Sequence, residues 1–489
     1  MMTRTTLTPC GLLVLALASA CADDGDGQTT ASGGASSTGA VTPTTGTSST
    51  GAVTPTSDAP TGTASSEGTA SASEATITGT GGTTGTTGTT GAPGTTSTSG
   101  EDSTAGSGSS TGAVMADLGG DSSTGEPPAC GRGGGGDLEF SYIWISNSAE
   151  GTLTKLNTVT LVEEGRYMTR ADKIGSPSRT SVNLSGDVVV ANRQGGVTKF
   201  FARIEDCPEK NGVPGLQSSS GKADVLAWDL EECRAWHTPL PGNSNRPVAW
   251  TSGVQDPVSC LWEDQKVWTS TTNLGQPGSM KVLRLDGASG MVEATINLPA
   301  VDIGSWGAYG GAVDGQNNFW MTTHGGSNPP SLTRVRFDDL SVKTWPAPPG
   351  LATYGMSVDA QGRPWVAGYT GGVARFSPDS ETWDVVPQVT GLGLQADGEG
   401  RVWVGSYPNP GVTAIDVDTL AVVQTIPLAA QVTKGVSVDF FGNVWVVTMG
   451  AEAFRVDPES LKVDVYAGLN GAYTYSDMTG WGLNNVIPQ

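Results

Sequence analysis

Short apolar runs on either side of tight Asp/Gly turns recur along the second half of the sequence. Three segments align without gaps, each with Gly, then Asp four positions later, a second Gly and an apolar run centred on Trp; they begin at Gly355, Gly393 and Gly435. A fourth segment, from Gly310, differs mainly in lacking the second Gly. Apolar runs flanking such a turn predict a β-hairpin in each copy.

Two further short strands follow the hairpin, as in 372–376 and 382–386, so each copy is predicted to contain four strands. The tryptophans of the four copies lie about 40 residues apart, at positions 320, 365, 403 and 445. Four strands in about 40 residues is the period of a propeller blade. The pattern therefore predicts an all-β fold built from blades.

Weaker copies precede these four. The segment 179–189 has Val189 in place of Trp, and the segment 258–268 predicts a further blade that ends near Ile296. Six complete blades are thereby predicted.

The last blade is predicted to combine both ends of the domain. The segment 142–155 has a Trp strand and its successor but no strand before them, whereas 473–480 has that missing strand and no successor. Joining the two closes the ring and removes exposed strand edges. We therefore predict a seven-bladed β-propeller over 137–489, with six or eight blades as the alternative counts.

The sequence before the repeats has a different composition. Residues 22–129 are nearly all Thr, Ser, Gly, Ala and Pro, with eleven carboxylates and no Lys or Arg. Such a segment cannot bury enough apolar surface to offset its ordering entropy, so 21–129 is predicted to be a disordered linker. These carboxylates account for half of the net charge of −22. No basic block occurs anywhere, which excludes nucleic-acid binding through a cationic surface.

The first residues predict export. Arg4 precedes an apolar run at 11–20, and the run ends Leu17-Ala18-Ser19-Ala20-Cys21, which resembles a bacterial lipobox. Residues 1–20 are therefore predicted to be a lipoprotein signal peptide with Cys21 lipidated; an ordinary secretory signal cut near Ala20 is the alternative. Ala22, rather than Asp, favours an outer-membrane lipoprotein that is periplasmic or surface-exposed. The lipid would be the only membrane attachment, because no other segment has 18 apolar residues.

Four further cysteines follow the signal. In an exported chain an even number predicts disulfides, and we favour Cys207–Cys233, which would close an insertion, with Cys130–Cys260 by elimination. The acidic stretch 205–212 is interpreted as a loop tied by that disulfide, with a Ca²⁺ site as the alternative. No CxxC spacing occurs and the chain has only 2 histidines, so no zinc site is predicted.

The alternation of the Gly-Asp-Gly turn with Val-Trp-Val over about 350 residues resembles the streptogramin (virginiamycin B) lyase-like propellers and, less closely, NHL and YVTN-type propellers. The resemblance implies elimination chemistry at the central channel, with histidines and a glutamate around Mg²⁺. In that family a histidine precedes the Gly of an inner strand. The matching positions here are Tyr309, Tyr354, Leu392 and Lys434. His237 and His324 fall at other blade positions, so no catalytic residue is predicted.

These features favour a non-catalytic, surface-tethered, monomeric propeller that binds an unidentified ligand or envelope partner without a cofactor. Tyr309, Tyr354 and Lys434 start equivalent inner strands and are expected to line one channel mouth together; the alternative is that they are ordinary solvated loop residues. Two other functions stay open. One is a metal-assisted lyase or hydrolase that uses carboxylates with Mg²⁺ or Ca²⁺, and the other is an envelope or adhesion component with no small ligand.

Overall fold

Four-stranded antiparallel sheets, arranged as the blades of a propeller, form residues 141–487, which are the residues that the computed structural model describes. The predicted signal peptide, the predicted linker, Cys21 with its predicted lipid, and Cys130 lie outside them. Seven blades surround the central channel, so the predicted all-β, seven-bladed fold is confirmed.

The strands follow in chain order, and the first strand of each complete blade faces the channel. The opening blade has β1 (Tyr142–Asn147), β2 (Thr152–Asn157) and β3 (Glu163–Met168). The second has β4 (Pro177–Val182), β5 (Val188–Asn192), β6 (Val197–Phe200) and β7 (Arg234–Thr238), with a 3-10 turn at Ile204–Asp206. The third starts with β8 (Ser244–Trp250), continues through a hairpin of β9 (Val254–Gln255) and β10 (Trp262–Glu263), and ends with β11 (Lys266–Thr272), β12 (Lys281–Asp286) and β13 (Val292–Asn297).

The remaining four blades repeat the same order without insertions. They are β14 (Ala308–Val313), β15 (Phe319–Thr323), β16 (Ser331–Val335) and β17 (Val342–Pro346); β18 (Thr353–Val358), β19 (Pro364–Gly368), β20 (Val373–Ser377) and β21 (Thr382–Val386); β22 (Gly391–Ala396), β23 (Arg401–Ser406), β24 (Gly411–Asp416) and β25 (Val422–Pro427); and β26 (Thr433–Val438), β27 (Val444–Thr448), β28 (Ala453–Val456) and β29 (Val463–Tyr466). The helix α1 (Trp481–Val486) follows the last blade. Among residues 141–487 no helix has the length and hydrophobicity that a membrane span requires.

The ring is closed by the C-terminal segment, as predicted. Residues 472–478 run antiparallel to β1: the Tyr473 N–H donates to Ser146 O at 3.0 Å, and the Trp144 N–H donates to Met478 O at 2.9 Å. Arg166 of β3 adds a hydrogen bond of 2.8 Å to Gly468 O, which follows the last blade. The two ends of the domain therefore form one blade, and its inner edge is paired.

The recurrent Asp and Trp are joined directly. In the four strong repeats one Asp carboxylate oxygen accepts the Trp indole N–H at 2.8–2.9 Å. The other oxygen accepts two backbone N–H groups of the turn, as Asp439 does from Phe441 and Asn443. The tryptophans themselves are fully buried. In each hairpin one Asp carboxylate thus links the turn to the buried Trp of the core.

The first Gly of the repeat is required because neighbouring inner strands approach closely. A Cβ at Gly355 would lie 2.5 Å from Leu392 O, and one at Gly435 would lie 2.2 Å from Thr474 O. No side chain fits at these distances. These glycines therefore set the width of the channel.

The third blade differs from the sequence prediction. Its inner strand is β8, whereas 258–268 was predicted to begin the blade; Val258 instead lies in the β9–β10 hairpin and is 83% exposed. The prediction was wrong because β8 has neither the Gly nor the Asp of the repeat.

The insertion of the second blade is closed by a disulfide between Cys207 and Cys233, with an S–S distance of 2.01 Å. This is the pair favoured from sequence. The loop is also organised by buried Glu232, which accepts the backbone N–H groups of Lys210, Asn211 and Gln217. Cys260 is also a disulfide cysteine, and its partner lies outside the described residues.

Replacing Asp439 tests the Asp–Trp link. Asp439→Ala leaves the Trp445 indole and two turn N–H groups without their acceptor, so we expect the free energy of unfolding to fall by about 2–4 kcal/mol. Urea denaturation followed by tryptophan fluorescence measures the loss. The control is Asp457→Ala in the same blade, whose carboxylate accepts two turn N–H groups but no indole. For Asp457→Ala we expect the free energy of unfolding to fall by about 0.5–1 kcal/mol. Equal losses in the two variants would contradict a stabilising Asp–Trp hydrogen bond.

Candidate functional site

Each complete inner strand carries a β-bulge near its start, and the bulge directs a side chain to one mouth of the channel. The pairing register shifts around Tyr309 in β14, Tyr354 in β18 and Lys434 in β26. It also shifts around Arg246 in β8. Bulges re-aim side chains and are common beside functional sites. The three residues predicted to share a mouth therefore do come together, and Arg246 joins them.

Three tyrosine hydroxyl groups form one hydrogen-bonded chain at this mouth. Tyr473 Oη lies 2.7 Å from Tyr309 Oη and 2.6 Å from Tyr354 Oη, and Lys434 Nζ donates to Tyr354 Oη at 2.7 Å. All four side chains are more than nine-tenths buried. Burial and the neighbouring tyrosines raise the pKa of Tyr354 well above its usual range. Tyr354 is therefore a neutral hydrogen-bonding group at physiological pH.

Two buried arginines pack against the same tyrosines. The Arg179 guanidinium lies 3.2 Å from the ring centroid of Tyr475 and 4.9 Å from that of Tyr309. The Arg246 guanidinium lies 4.8 Å from the ring centroid of Tyr309. Burial and the like charge of Arg246 lower the pKa of Arg179 to about 9, so it stays protonated at neutral pH. We call Tyr309, Tyr354, Tyr473, Tyr475, Lys434, Arg179 and Arg246 the channel cluster.

A half-buried aromatic rim surrounds the channel cluster. It consists of Trp306 before β14, Tyr369 after β19 and Tyr407 after β23, all of which pack against the buried tyrosines. His324 lies between rim and cluster, with its ring 4.5 Å from Tyr309 and 5.7 Å from Tyr369. The mouth therefore presents aromatic faces above a cationic, hydroxyl-bearing floor.

The other end of the channel is closed by α1. The helix packs on the inner strands β14, β18, β22 and β26. Asp477 holds its first turn by accepting the N–H groups of Gly480, Gly482 and Leu483. A cavity of about 30 Å³ lies between α1 and the inner strands and is lined by Ser181, Val248 and Gly311 among others. The cluster end is thus the end of the channel that α1 does not cover.

Sequence reasoning missed the arginines and the tyrosines of the closing segment. Arg179 stands where the strong repeats have their first Gly, which was the available signal. Arg246 lies in the third blade, where the repeat is not recognisable. His324, set aside because of its blade position, proves to lie against Tyr309.

The residues at this mouth do not fit the Mg²⁺ site that the lyase resemblance implies. Among residues 141–487 no group of three His, Cys, Asp or Glu side chains is arranged to hold a metal ion. The positions that match the family's histidines carry phenol, isobutyl and ammonium groups instead. The ammonium of Lys434 would repel a divalent cation.

Comparison with known proteins gives likeness of fold. No protein-family profile and no curated protein matches this chain. Among solved structures, the chain is similar to a streptogramin B lyase (13% identity, 69% of this chain and 95% of that chain, TM-score 0.47). It is also similar to virginiamycin B lyase from Staphylococcus aureus (13%, 62% and 89%, 0.42) and BamB from Moraxella catarrhalis (12%, 69% and 86%, 0.40). The resemblance seen in the repeat is therefore one of architecture, and it carries neither chemistry nor ligand to this chain.

The second histidine lies away from the channel. His237 is on β7, with Nδ1 2.9 Å from Thr198 Oγ1 and its ring edge-on to Trp228. Burial, with smaller contributions from Arg170 and Arg234, lowers its pKa from 6.5 to about 4. The folded protein therefore holds this imidazole neutral.

This shift predicts acid sensitivity. His237 takes up a proton near pH 6.5 in the unfolded chain but only near pH 4 in the folded protein. The neutral imidazole therefore contributes its full share to the free energy of unfolding above pH 6.5, and this contribution is lost as the pH falls towards 4. Between pH 7.5 and 5 we expect His237 to contribute about 1–2 kcal/mol of the loss, allowing for its partial exposure. His237→Gln should reduce the pH dependence of the free energy of unfolding, measured by urea denaturation, by that amount. An unchanged pH dependence would contradict the assignment.

Proposed function

We propose that this protein is an exported binding module, tethered to the cell envelope, that takes an organic ligand at the mouth formed by the channel cluster and the aromatic rim. The observation that carries the proposal is the convergence of Tyr309, Tyr354 and Lys434 from three separate bulged strands. Holding the blades together does not require this convergence, because four blades have Asp–Trp links and neighbouring blades share apolar cores. Closure of the opposite end by α1 leaves this mouth as the binding end.

Two features support export and tethering. The Cys207–Cys233 disulfide is typical of an oxidising compartment outside the cytoplasm. The composition of 22–129 suits a spacer, and a flexible chain of that length has a mean reach of roughly 55–60 Å. In this proposal a lipid on Cys21 holds the propeller at the outer membrane and the spacer keeps its mouth clear of the headgroups.

Replacing Trp306 tests ligand binding at the mouth. The probe is benzamide, a neutral ring that can stack on the aromatic rim, observed by saturation-transfer difference NMR. Trp306→Ala should weaken its binding by about three- to tenfold, because one ring contact is lost. The control is Trp262→Ala, which removes another half-buried indole, on β10 in the hairpin that follows β8, and should leave benzamide binding as it is. Binding that is equal in the wild-type and Trp306→Ala proteins would refute this location of the site.

Replacing Cys21 tests the anchor. Cys21→Ala in the full chain, expressed in a bacterium, should move the protein from the membrane fraction to the soluble exported fraction, since a single lipidated residue supplies the attachment. Cys10→Ala, within the predicted signal peptide, is the control and should leave the fractionation as it is. Membrane association that survives Cys21→Ala would disprove lipid tethering.

A further inference from the structure

Two arginines of the channel cluster have no carboxylate partner among residues 141–487. Arg179 is 0% exposed; it donates to Tyr309 O and Ser178 O, and its Nη2 has no hydrogen-bond partner. Arg246 is 3% exposed, and its Nε and Nη1 have none. Buried charged donors without acceptors are rare in native proteins, so these three atoms indicate a missing anionic acceptor.

The rest of the molecule shows that this chain normally pairs its buried cations. Lys199 lies 2.9 Å from Asp187, and fully buried Arg166 lies 2.7 Å from Glu163. Lys266 meets three carboxylates within 3.1 Å. The described domain has a surplus of carboxylates over cations, so acceptors were available in the sequence. Among the buried arginines of residues 141–487, Arg166 has carboxylate partners, whereas Arg179 and Arg246 have none.

The two guanidinium groups are also placed to act on one ligand. Both lie within 4.9 Å of the centroid of the Tyr309 ring, and their like charges repel each other in a region shielded from water. An anion would relieve the repulsion between the two arginines and accept hydrogen bonds from both guanidinium groups. The buried Tyr475 Oη, also without a hydrogen-bond partner, adds a further donor beside Arg179.

We propose, resting on the proposed function, that this mouth recognises a carboxylate attached to an aromatic group, with Arg179 and Arg246 holding the carboxylate and the aromatic rim holding the ring. The planar fork of Arg matches a carboxylate with two parallel hydrogen bonds. Trp306 lies 5.6 Å from the Arg246 guanidinium, so a ring and a carboxylate on one small molecule can reach both.

The test compares charged and neutral probes of equal shape on the full-length chain. Isothermal titration should show benzoate binding at least about tenfold more tightly than benzamide. Arg179→Gln and Arg246→Gln should each bring the two affinities together, because each weakens benzoate binding more than benzamide binding. Both variants should keep or raise the melting temperature of the unliganded protein, because each removes a buried charge that has no carboxylate partner.

The matched control is Arg375→Gln, which removes a partly buried arginine paired with Asp384 at 2.7 Å, far from the channel on β20. It should lower the melting temperature and leave the benzoate preference intact.

Acetate and chloride distinguish an aromatic carboxylate from a free ion as the occupant of the site. Benzoate tighter than acetate supports a carboxylate on an aromatic ligand, whereas equal binding of acetate, chloride and benzoate would overturn that ligand class in favour of a free ion.

The two proposals fail in different ways. Benzoate and benzamide binding equally, with both weakened by Trp306→Ala, would overturn the carboxylate inference and keep the binding mouth. Retention of the benzoate preference in both arginine variants would likewise overturn it. No heat and no thermal shift with any probe up to about 10 mM would overturn both proposals.

Discussion

One hydrogen bond, from the Trp indole to the Asp carboxylate, sets the geometry on which the propeller depends. It spans six positions of sequence, from the turn to the centre of the second strand, and recurs at 2.8–2.9 Å in four blades. Because the same carboxylate also accepts the turn N–H groups, the turn cannot change without exposing a buried donor. Each hairpin is fixed as a unit, and the inner strand is then held in one register. The bulge near its start can therefore aim a side chain into the channel.

The closing blade shows what happens when that interaction is given up. Asp477 occupies the Asp position of the repeat but binds the first turn of α1, and the Nε1 of buried Trp144 in β1 has no hydrogen-bond partner among residues 141–487. The blade loses its internal link and gains a helix that closes one end of the channel. The link between chain ends is made instead by backbone pairing and by Arg166 on Gly468. In the closing blade, Asp477 thus binds the helix that closes the channel and does not accept the Trp indole N–H, as the Asp of every strong repeat does.

Much of the fold could be predicted because each strong repeat carries its own turn and core within a short stretch. Gly355, Asp359 and Trp365 determine a hairpin locally, and ring closure followed from two incomplete blades at the two ends. The third blade was misplaced because β8 lacks these markers and is specified by packing on β11. The site was predicted only where it coincides with the repeat: Tyr309, Tyr354 and Lys434 share one register position. Tyr473 and Arg246 belong to the site because of contacts with residues distant in sequence, and the repeat did not predict those contacts.

Net charge does not report on cations that are buried. The sequence is acidic and has no basic block, which excludes a cationic surface for nucleic acid. That argument concerns exposed charge, because charges in water are screened beyond about 8–10 Å. Arg179 and Arg246 are sealed behind tyrosine rings, where a nearby charge acts through protein and is screened far less. The acidic exterior slows the approach of an anion, while the buried cations determine whether it stays. A chain with a net charge of −22 can therefore be selective for an anion, provided that the few cations responsible are buried and unpaired.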